Sequence, residues 1–294
     1  MAFVDNTTYT AENKEVGTFW QKALLSSEVL DKVFTLYPNV KNSIKLNQWD
    51  LGDVIQEADC DFNSQGMGTL SEKTFSVDDK KVNLEYCIKT FEANYLAETL
   101  KAGSNNTSSE VVNKFLLDSS AKKVADSIVK YAFADNATGL VGKLKADAGV
   151  VDVTIEQLTQ LNAIDEIAKV YLEIPEALEE AEDLIFLIDS ASAKFFRLNA
   201  MDTTVPQLTI NEGLELSYLG YPMIVGTGMP SNTIIIAKKS NLFYLTDLVS
   251  DAEDMEVINM RNTTGQPVVR FVTDFKLGFD FMIPEEIIMG WVTA

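Results

Sequence analysis

From Leu219 to Phe281 the chain is a succession of short runs rich in Ile, Val, Phe and Tyr, cut by turn residues. Leu219–Val225, Asn232–Ala237, Asn241–Tyr244 and Arg270–Phe281 each read as a strand, with turns at Gly220, Gly226, Gly228, Pro230 and Gly265. β-branched and aromatic residues favour a pleated, half-buried surface, so the last third is committed to sheet. It contains no catalytic side-chain constellation.

The preceding segments carry helical signals. Thr107-Ser108-Ser109-Glu110 is a capping box, in which the Thr107 hydroxyl and the Glu110 carboxylate satisfy each other's backbone N–H groups. Val111, Phe115, Leu116, Val124, Ile128, Tyr131 and Ala132 follow at spacings that make an apolar stripe. A helix over residues 108–135 is expected, roughly 40 Å long at about 1.5 Å per residue. Lys114, Lys122, Lys123 and Lys130 lie on its other side and read as a solvated face. Thr154-Ile155-Glu156-Gln157 is a second capping box, predicting a helix to about Glu173 that stops before Pro175. Leu184–Ile188 is apolar throughout, as in a buried strand, and Ser190–Leu198 suits a small helix after it. A short helix is expected over Glu28–Phe34, with Ser26 or Ser27 as cap and Pro38 beyond its end. The rest of residues 1–41 reads as an irregular arm and residues 136–152 as a connection. Interleaved and segregated helices and strands together give an α+β class.

Between arm and helix lies a polar extended region. Ile44, Leu46, Trp49, Leu51, Val54 and Ile55 are separated by Asn, Gln and Asp, and Gly66-Met67-Gly68 marks a turn. Phe75, Val77, Val82, Leu84, Tyr86, Ile88 and Phe91 then alternate with polar residues, with strict period two from Val82 to Ile88. Two long strands joined by a glycine turn form a β-ribbon. A ribbon this polar is marginal alone and needs a surface to lie on.

Several chemistries are removed by composition. The 294 residues include no histidine, which eliminates Ser-His-Asp and Cys-His nucleophiles and histidine-ligated metals. Gly66-Met67-Gly68 and Gly226-Thr227-Gly228 lack the third glycine of a dinucleotide site, and no P-loop or nucleophile elbow occurs. Asp59-Cys60-Asp61-Phe62-Asn63 begins like a calcium loop, but Ser64 and Leu70 stand where Gly and a bidentate Glu are needed. Two acidic clusters, Glu176, Glu179, Glu180, Glu182, Asp183 and Asp251, Glu253, Asp254, Glu256, have no apolar residues around them to raise a carboxyl pKa and read as solvated surface. No catalytic, cofactor or metal site is predicted. Cys60 and Cys87 make no disulfide framework and read as free thiols, so the N-x-S/T matches read as chance. No run of eighteen apolar residues and no signal-peptide pattern is present, so a non-membrane chain, cytosolic at synthesis, is expected.

The net charge is −20, a balance that disfavours gripping nucleic acid. It is unevenly spread. Residues 1–104 carry ten lysines against sixteen acids, residues 105–150 six against five, and residues 151–294 eight basic groups against twenty-three acids.

Taken in order, these pieces resemble the major capsid protein of tailed bacteriophages, whose shell fold is called HK97-like. The run from Thr74 to Ile88 resembles that family's extended loop (E-loop) and its return strand. The helix from Ser108 resembles its spine helix, and Asp183–Leu198 the entry to its axial domain. Leu219–Val225, Asn232–Ala237 and Asn241–Tyr244 are similar to the axial core strands, and Arg270–Ile288 to the return into the peripheral domain. The resemblance implies an N-terminal arm at 1–41, an E-loop ribbon at 42–82, a peripheral domain at 83–152 and 268–294, and an axial domain at 153–267. It also implies self-assembly into hexamers and pentamers of an icosahedral virion shell around double-stranded DNA, assembled in the host bacterial cytoplasm with a portal. With no long N-terminal segment of the built-in-scaffold kind, it implies a separate scaffolding protein, or none. Inter-subunit contacts are expected from the E-loop residues Gly66, Met67, Gly68, Lys73, Phe75, Lys80 and Lys81. Some members cross-link a loop lysine to a peripheral asparagine, but no Asn follows Asn262, and that chemistry is not expected. Three other readings compete: an encapsulin-type compartment of the same fold, an acidic α+β enzyme using the carboxylate clusters, and a monomeric binding module. The long polar loop and missing histidine weigh against them.

Overall fold

The computed structural model describes residues 28–50, 68–87, 122–179, 181–202, 216–247, 255–260, 264–266 and 268–292. Among these, the strands form three sheets. The first has six strands: β5 (Val151–Thr154), β6 (Leu184–Asp189), β7 (Leu216–Tyr218), β8 (Tyr221–Gly226), β9 (Thr233–Lys238) and β13 (Ile288–Trp291), in the order β5-β13-β9-β6-β8-β7. The second joins β1 (Thr35–Pro38), β10 (Leu242–Thr246), β11 (Met255–Asn259) and β4 (Asp78–Cys87) around the fourteen-residue β12 (Val268–Phe281). The third is a two-stranded ribbon of β2 (Ser43–Asp50) and β3 (Thr69–Ser76).

Every residue of β6 is buried, because it lies between β9 and β8 with both faces covered. Side chains alternate across a strand, so the six-stranded sheet separates two cores. Leu184, Phe186 and Ile188, with Ile234, Ile236 and Ile288, pack on the face covered by helices Ala163–Leu172 and Ser190–Asp202. Ile185, Leu187, Ile235, Ala237 and Met289 pack on the other, against the five-stranded sheet and the helices Glu28–Val33, 122–132 and Leu140–Ala146. Asp189 starts the helix after β6, its carboxylate accepting the N–H groups of Ala191 at 2.9 Å and Ser192 at 3.1 Å.

β12 organises the other half. β4 pairs along it from Val268 to Leu277, β11 along Val269–Thr273 and β10 along Leu277–Phe281. The period two expected from Val82 is present in β4, half-buried and exposed residues alternating along its length. β12 alternates likewise until Gly278 and is then buried on both faces. At Gly278 a side chain has no room, since a Cβ would stand 2.5 Å from the Ser76 carbonyl where the ribbon leaves the sheet.

The strands Tyr221–Gly226, Thr233–Lys238, Leu242–Thr246 and Val268–Phe281, the buried strand at 184, the helix after it and the turns at Gly220, Gly228 and Gly265, all three with positive φ, match the sequence reading, whereas β7, β11 and β13 were not named there. The helix expected at 108–135 is described over 122–132, with Val124, Ile128 and Ala132 buried and Lys122, Lys123 and Lys130 exposed. Its capping box lies outside the described residues.

Four expectations need correction. The helix expected over Glu28–Phe34 is present as Glu28–Val33, with Leu30 and Val33 in the core, but the segment after it is no irregular arm: Thr35–Pro38 pairs in parallel with β10. The connection 136–152 contains the helix Leu140–Ala146, whose Leu140, Val141 and Leu144 are fully buried. The second capping box does not cap. Thr154 ends a strand parallel to β13, the Glu156 N–H goes to the Glu166 carboxylate at 3.0 Å, and the helix starts at Ala163. Sheet pairing has overridden the local signal. Finally, the boundaries at 152 and 267 do not divide the sheets. β10 and β11, assigned to the axial part, pair with β12, while β13, assigned to the peripheral part, completes the six-stranded sheet.

Candidate functional site

The ribbon is the described element with least core of its own. β2 and β3 pair antiparallel from Ser43↔Ser76 to Asp50↔Thr69. Residues opposite each other share a face, so Ile44 with Phe75 and Leu46 with Lys73 point one way, Trp49 with Leu70 the other. The first face is closed by the body. Phe75 is fully buried, its ring 5.4 Å from that of Phe243, in a small cluster with Val40 and Leu245. Ile44, Leu46 and Val77 pack around it.

Lys73 fastens the ribbon further out. Its ammonium stands 3.7 Å from the centre of the Phe281 ring and 3.8 Å from Asp280. Asp280 is buried, and its other oxygen accepts from Lys143 at 2.8 Å, while Lys143 also donates to the Phe279 carbonyl at 2.7 Å. One carboxylate thus joins the ribbon, the helix Leu140–Ala146 and the end of β12. Burial pulls the Lys73 ammonium below its ordinary pKa, more than the Asp280 carboxylate restores.

The opposite face is open. Trp49 and Leu70 are each 60% exposed and directly paired across the strands, beside an ion pair between Lys45 and Glu72. The indole lies against Gly68, where a Cβ would be 2.5 Å from it. A side chain at position 68 would displace the indole.

The contact residues expected from the sequence separate into groups. Gly66 and Met67 lie outside the described residues. Phe75 is fully enclosed by its own subunit, where Ile44, Val40 and Phe243 supply a core that the sequence reading did not credit to the ribbon. Lys73 is largely taken up by Asp280 and Phe281 of its own chain. Lys80 stands 4.4 Å from the Tyr131 ring and 3.6 Å from Asp78. Burial lowers its pKa, but Tyr131 and Asp78 outweigh that and leave it raised. Gly68 stays at the ribbon's outer end, and Lys81 is exposed. Sequence reasoning missed the Asp280–Lys143 anchor, whose parts lie far apart in the chain. Trp49 had a signal, a large aromatic in a polar run, that was not given a role.

Of the carboxylate clusters, Glu176, Glu179 and Glu182 are exposed, and residues 251–254 lie outside the described residues. Among the described residues no group of three or more His, Cys, Asp or Glu could hold a metal ion. No helix there is long and apolar enough to cross a membrane. Cys87 is an exposed free thiol, and Cys60 lies outside the described residues.

No protein-family model matches the chain, and no curated protein matches it by sequence. Solved structures do. A chain from the capsid of an empty GTA particle is 15% identical, with a TM-score of 0.61 over 92% of this chain and 91% of that one. A chain from the procapsid of satellite phage P4, a structure that includes the size determination (Sid) protein, is 10% identical, with a TM-score of 0.57 over 94% and 99%. A chain of Gordonia phage Cozz is 14% identical, with a TM-score of 0.57 over 90% and 86%. The likeness spans nearly the whole length in each case and establishes the fold, that of phage capsid subunits.

Proposed function

We propose that this chain is the major capsid protein of a tailed bacteriophage, a shell subunit that assembles with copies of itself into hexamers and pentamers enclosing double-stranded DNA. In this reading the β2–β3 ribbon serves as the extended loop, and the helix containing 122–132 is the spine. The five-stranded sheet with its helices is the peripheral domain, and the six-stranded sheet with its helices is the axial domain. The role is structural and needs no catalytic group, cofactor or metal. A portal and, if one is used, a scaffolding protein are the further partners.

The observation that carries the reading is the ribbon's split character on a capsid fold. One face is anchored by Phe75 and Lys73, while the other presents Trp49 and Leu70 to solvent. Paired exposed aromatic and aliphatic side chains mark an interaction surface. A subunit that reaches onto its neighbour with one patch and receives with another makes head-to-tail contacts that close into rings. Many such contacts, each weak, sum to a stable shell. A net charge of −20 suits an inner surface along which DNA slides without being gripped.

The test is purification followed by sizing and negative-stain imaging. Isometric particles are expected, with nucleic acid inside when they are recovered from infected cells. A monomer under all assembly conditions would count decisively against a shell subunit, and a protein cargo in place of nucleic acid would favour an encapsulin-type compartment.

A further inference from the structure

Two surfaces away from the ribbon's anchored face are complementary. The first is an open groove of about 680 Å³ between β4 and the helix 122–132. Its floor is apolar, with Leu84, Ile128 and Tyr131 among its lining. Its rim carries Lys80, Lys81, Lys122 and Lys123. Lys80 is engaged by Asp78, but among the described residues no carboxylate pairs with Lys81, Lys122 or Lys123. Asp126 is the acid in the lining. In a chain of net charge −20, this groove has four lysines against one acid in its lining.

The second surface lies on the six-stranded half. Leu172 ends its helix 78% exposed. Glu173, Glu176 and Glu179 are exposed around it, the last two on the short helix Glu176–Glu179. That helix is held in place by Ile174 and Leu178, both buried, and by the Tyr221 hydroxyl donating to the Glu179 carbonyl at 2.7 Å. An apolar knob with an acidic fringe is thus presented on a fixed mount.

We infer that the Leu172–Glu179 surface of one copy docks into the lysine-rimmed groove of a second copy. The occupant follows from charge and shape together: Leu172 matches an apolar floor, and three glutamates match the lysines that lack carboxylate partners. An apolar centre with a charged rim is the anatomy of a protein interface, in which opposite charges fix register and partner. The contact joins different surfaces on the two copies, so it is head-to-tail and propagates into rings. This rests on the self-assembly reading above and deepens it by naming a contact.

The experiment uses the full chain with three variants. Lys122→Glu/Lys123→Glu reverses the groove, Glu176→Lys/Glu179→Lys reverses the knob, and the quadruple variant carries both. All four substituted positions are exposed, and unchanged thermal unfolding of the unassembled subunit checks that each variant folds. Each double variant is expected to raise the concentration needed for assembly at least about tenfold, read by sedimentation, as loss of a few interfacial charge contacts requires. The quadruple variant is expected to recover most of that loss, since the reversed positions again face each other with opposite charges. Double variants that assemble like the parent overturn the contact, and so does a quadruple variant without recovery. A groove variant that assembles normally but loses retained DNA also overturns it, assigning the lysines to nucleic acid. A parent chain that never assembles defeats the shell reading itself, a separate failure.

Discussion

The six-stranded sheet and the two-stranded ribbon use the same kind of backbone pairing for opposite ends. In the sheet, β6 is covered on both faces, and alternate residues feed separate cores. In the ribbon, one face is held by Phe75 and Lys73 and the other is bare. Burial of apolar surface contributes roughly 25 cal/mol per Å², so the sheet carries subunit stability that the outer ribbon face cannot. The ribbon's exposed pair gains only when something covers it. The sheet therefore defines what the subunit is, and the ribbon what it meets.

Four substitutions test that division. Phe186→Ala should have the largest effect. Its fully buried ring is surrounded by Tyr171, Tyr218 and Tyr221 at centroid distances of 5.7 to 6.4 Å, within a sheet that cannot close the void. A loss of about 5 kcal/mol in chemical denaturation is expected, at the upper end for such truncations. Phe75→Ala should cost less, about 3 kcal/mol, because the ribbon base can settle toward Phe243. Hydrogen exchange should localise the loosening to β2 and β3, and a global loss equal to that of Phe186→Ala would erase the distinction between the regions.

Lys73→Met probes the anchor through pH. The Lys73 pKa is lowered in the folded subunit from 10.5. Between the folded value and 10.5 the unfolded chain holds more protons, so stability rises with pH across that window. Below it the charged form carries the full burial cost. The wild type is expected to gain stability relative to Lys73→Met as pH rises toward 10.5. Parallel stability curves for the two would show that the ammonium is not strained by burial. Trp49→Ser should be the gentlest of all on the isolated subunit, within about 0.5 kcal/mol as for an exposed site. Assembly measured at the same time should fall sharply. A Trp49→Ser subunit that assembles as the wild type would remove the bare face from the contact list.

Much of this architecture was legible because its signals were local. Leu184–Ile188, the period-two run from Val82 and the strands of the last third each carry their own pattern, and the pattern is what a pleated surface requires. The helix Leu140–Ala146 was missed because Gly139 and Gly142 mask a short apolar stripe, and its burial is decided by partners elsewhere in the chain. Thr154 misled because a capping box and a strand end present the same hydroxyl, and only pairing with Ile288–Trp291 chooses between them. The site divided in the same way. A ribbon was expected from the extended run after Ile44 and its glycine turn, but its return strand is Thr69–Ser76, while the alternating run from Val82 belongs to β4 and pairs with β12. Which of its faces is closed could not be read, since that depends on Phe243, Asp280 and Phe281, some 170 to 210 positions away along the sequence.

The ten-rung ladder between β4 and β12 has a mechanical consequence. β12 spans roughly 46 Å at about 3.3 Å per residue, and the ribbon is joined to the strand that lies along it. A pull on the ribbon directed along β4 loads these rungs in shear, so they share the force and yield together. A pull at right angles would peel them one at a time at far lower force. The subunit is therefore stiff to tension in the direction its ribbon extends and compliant across it, a grain like that of wood.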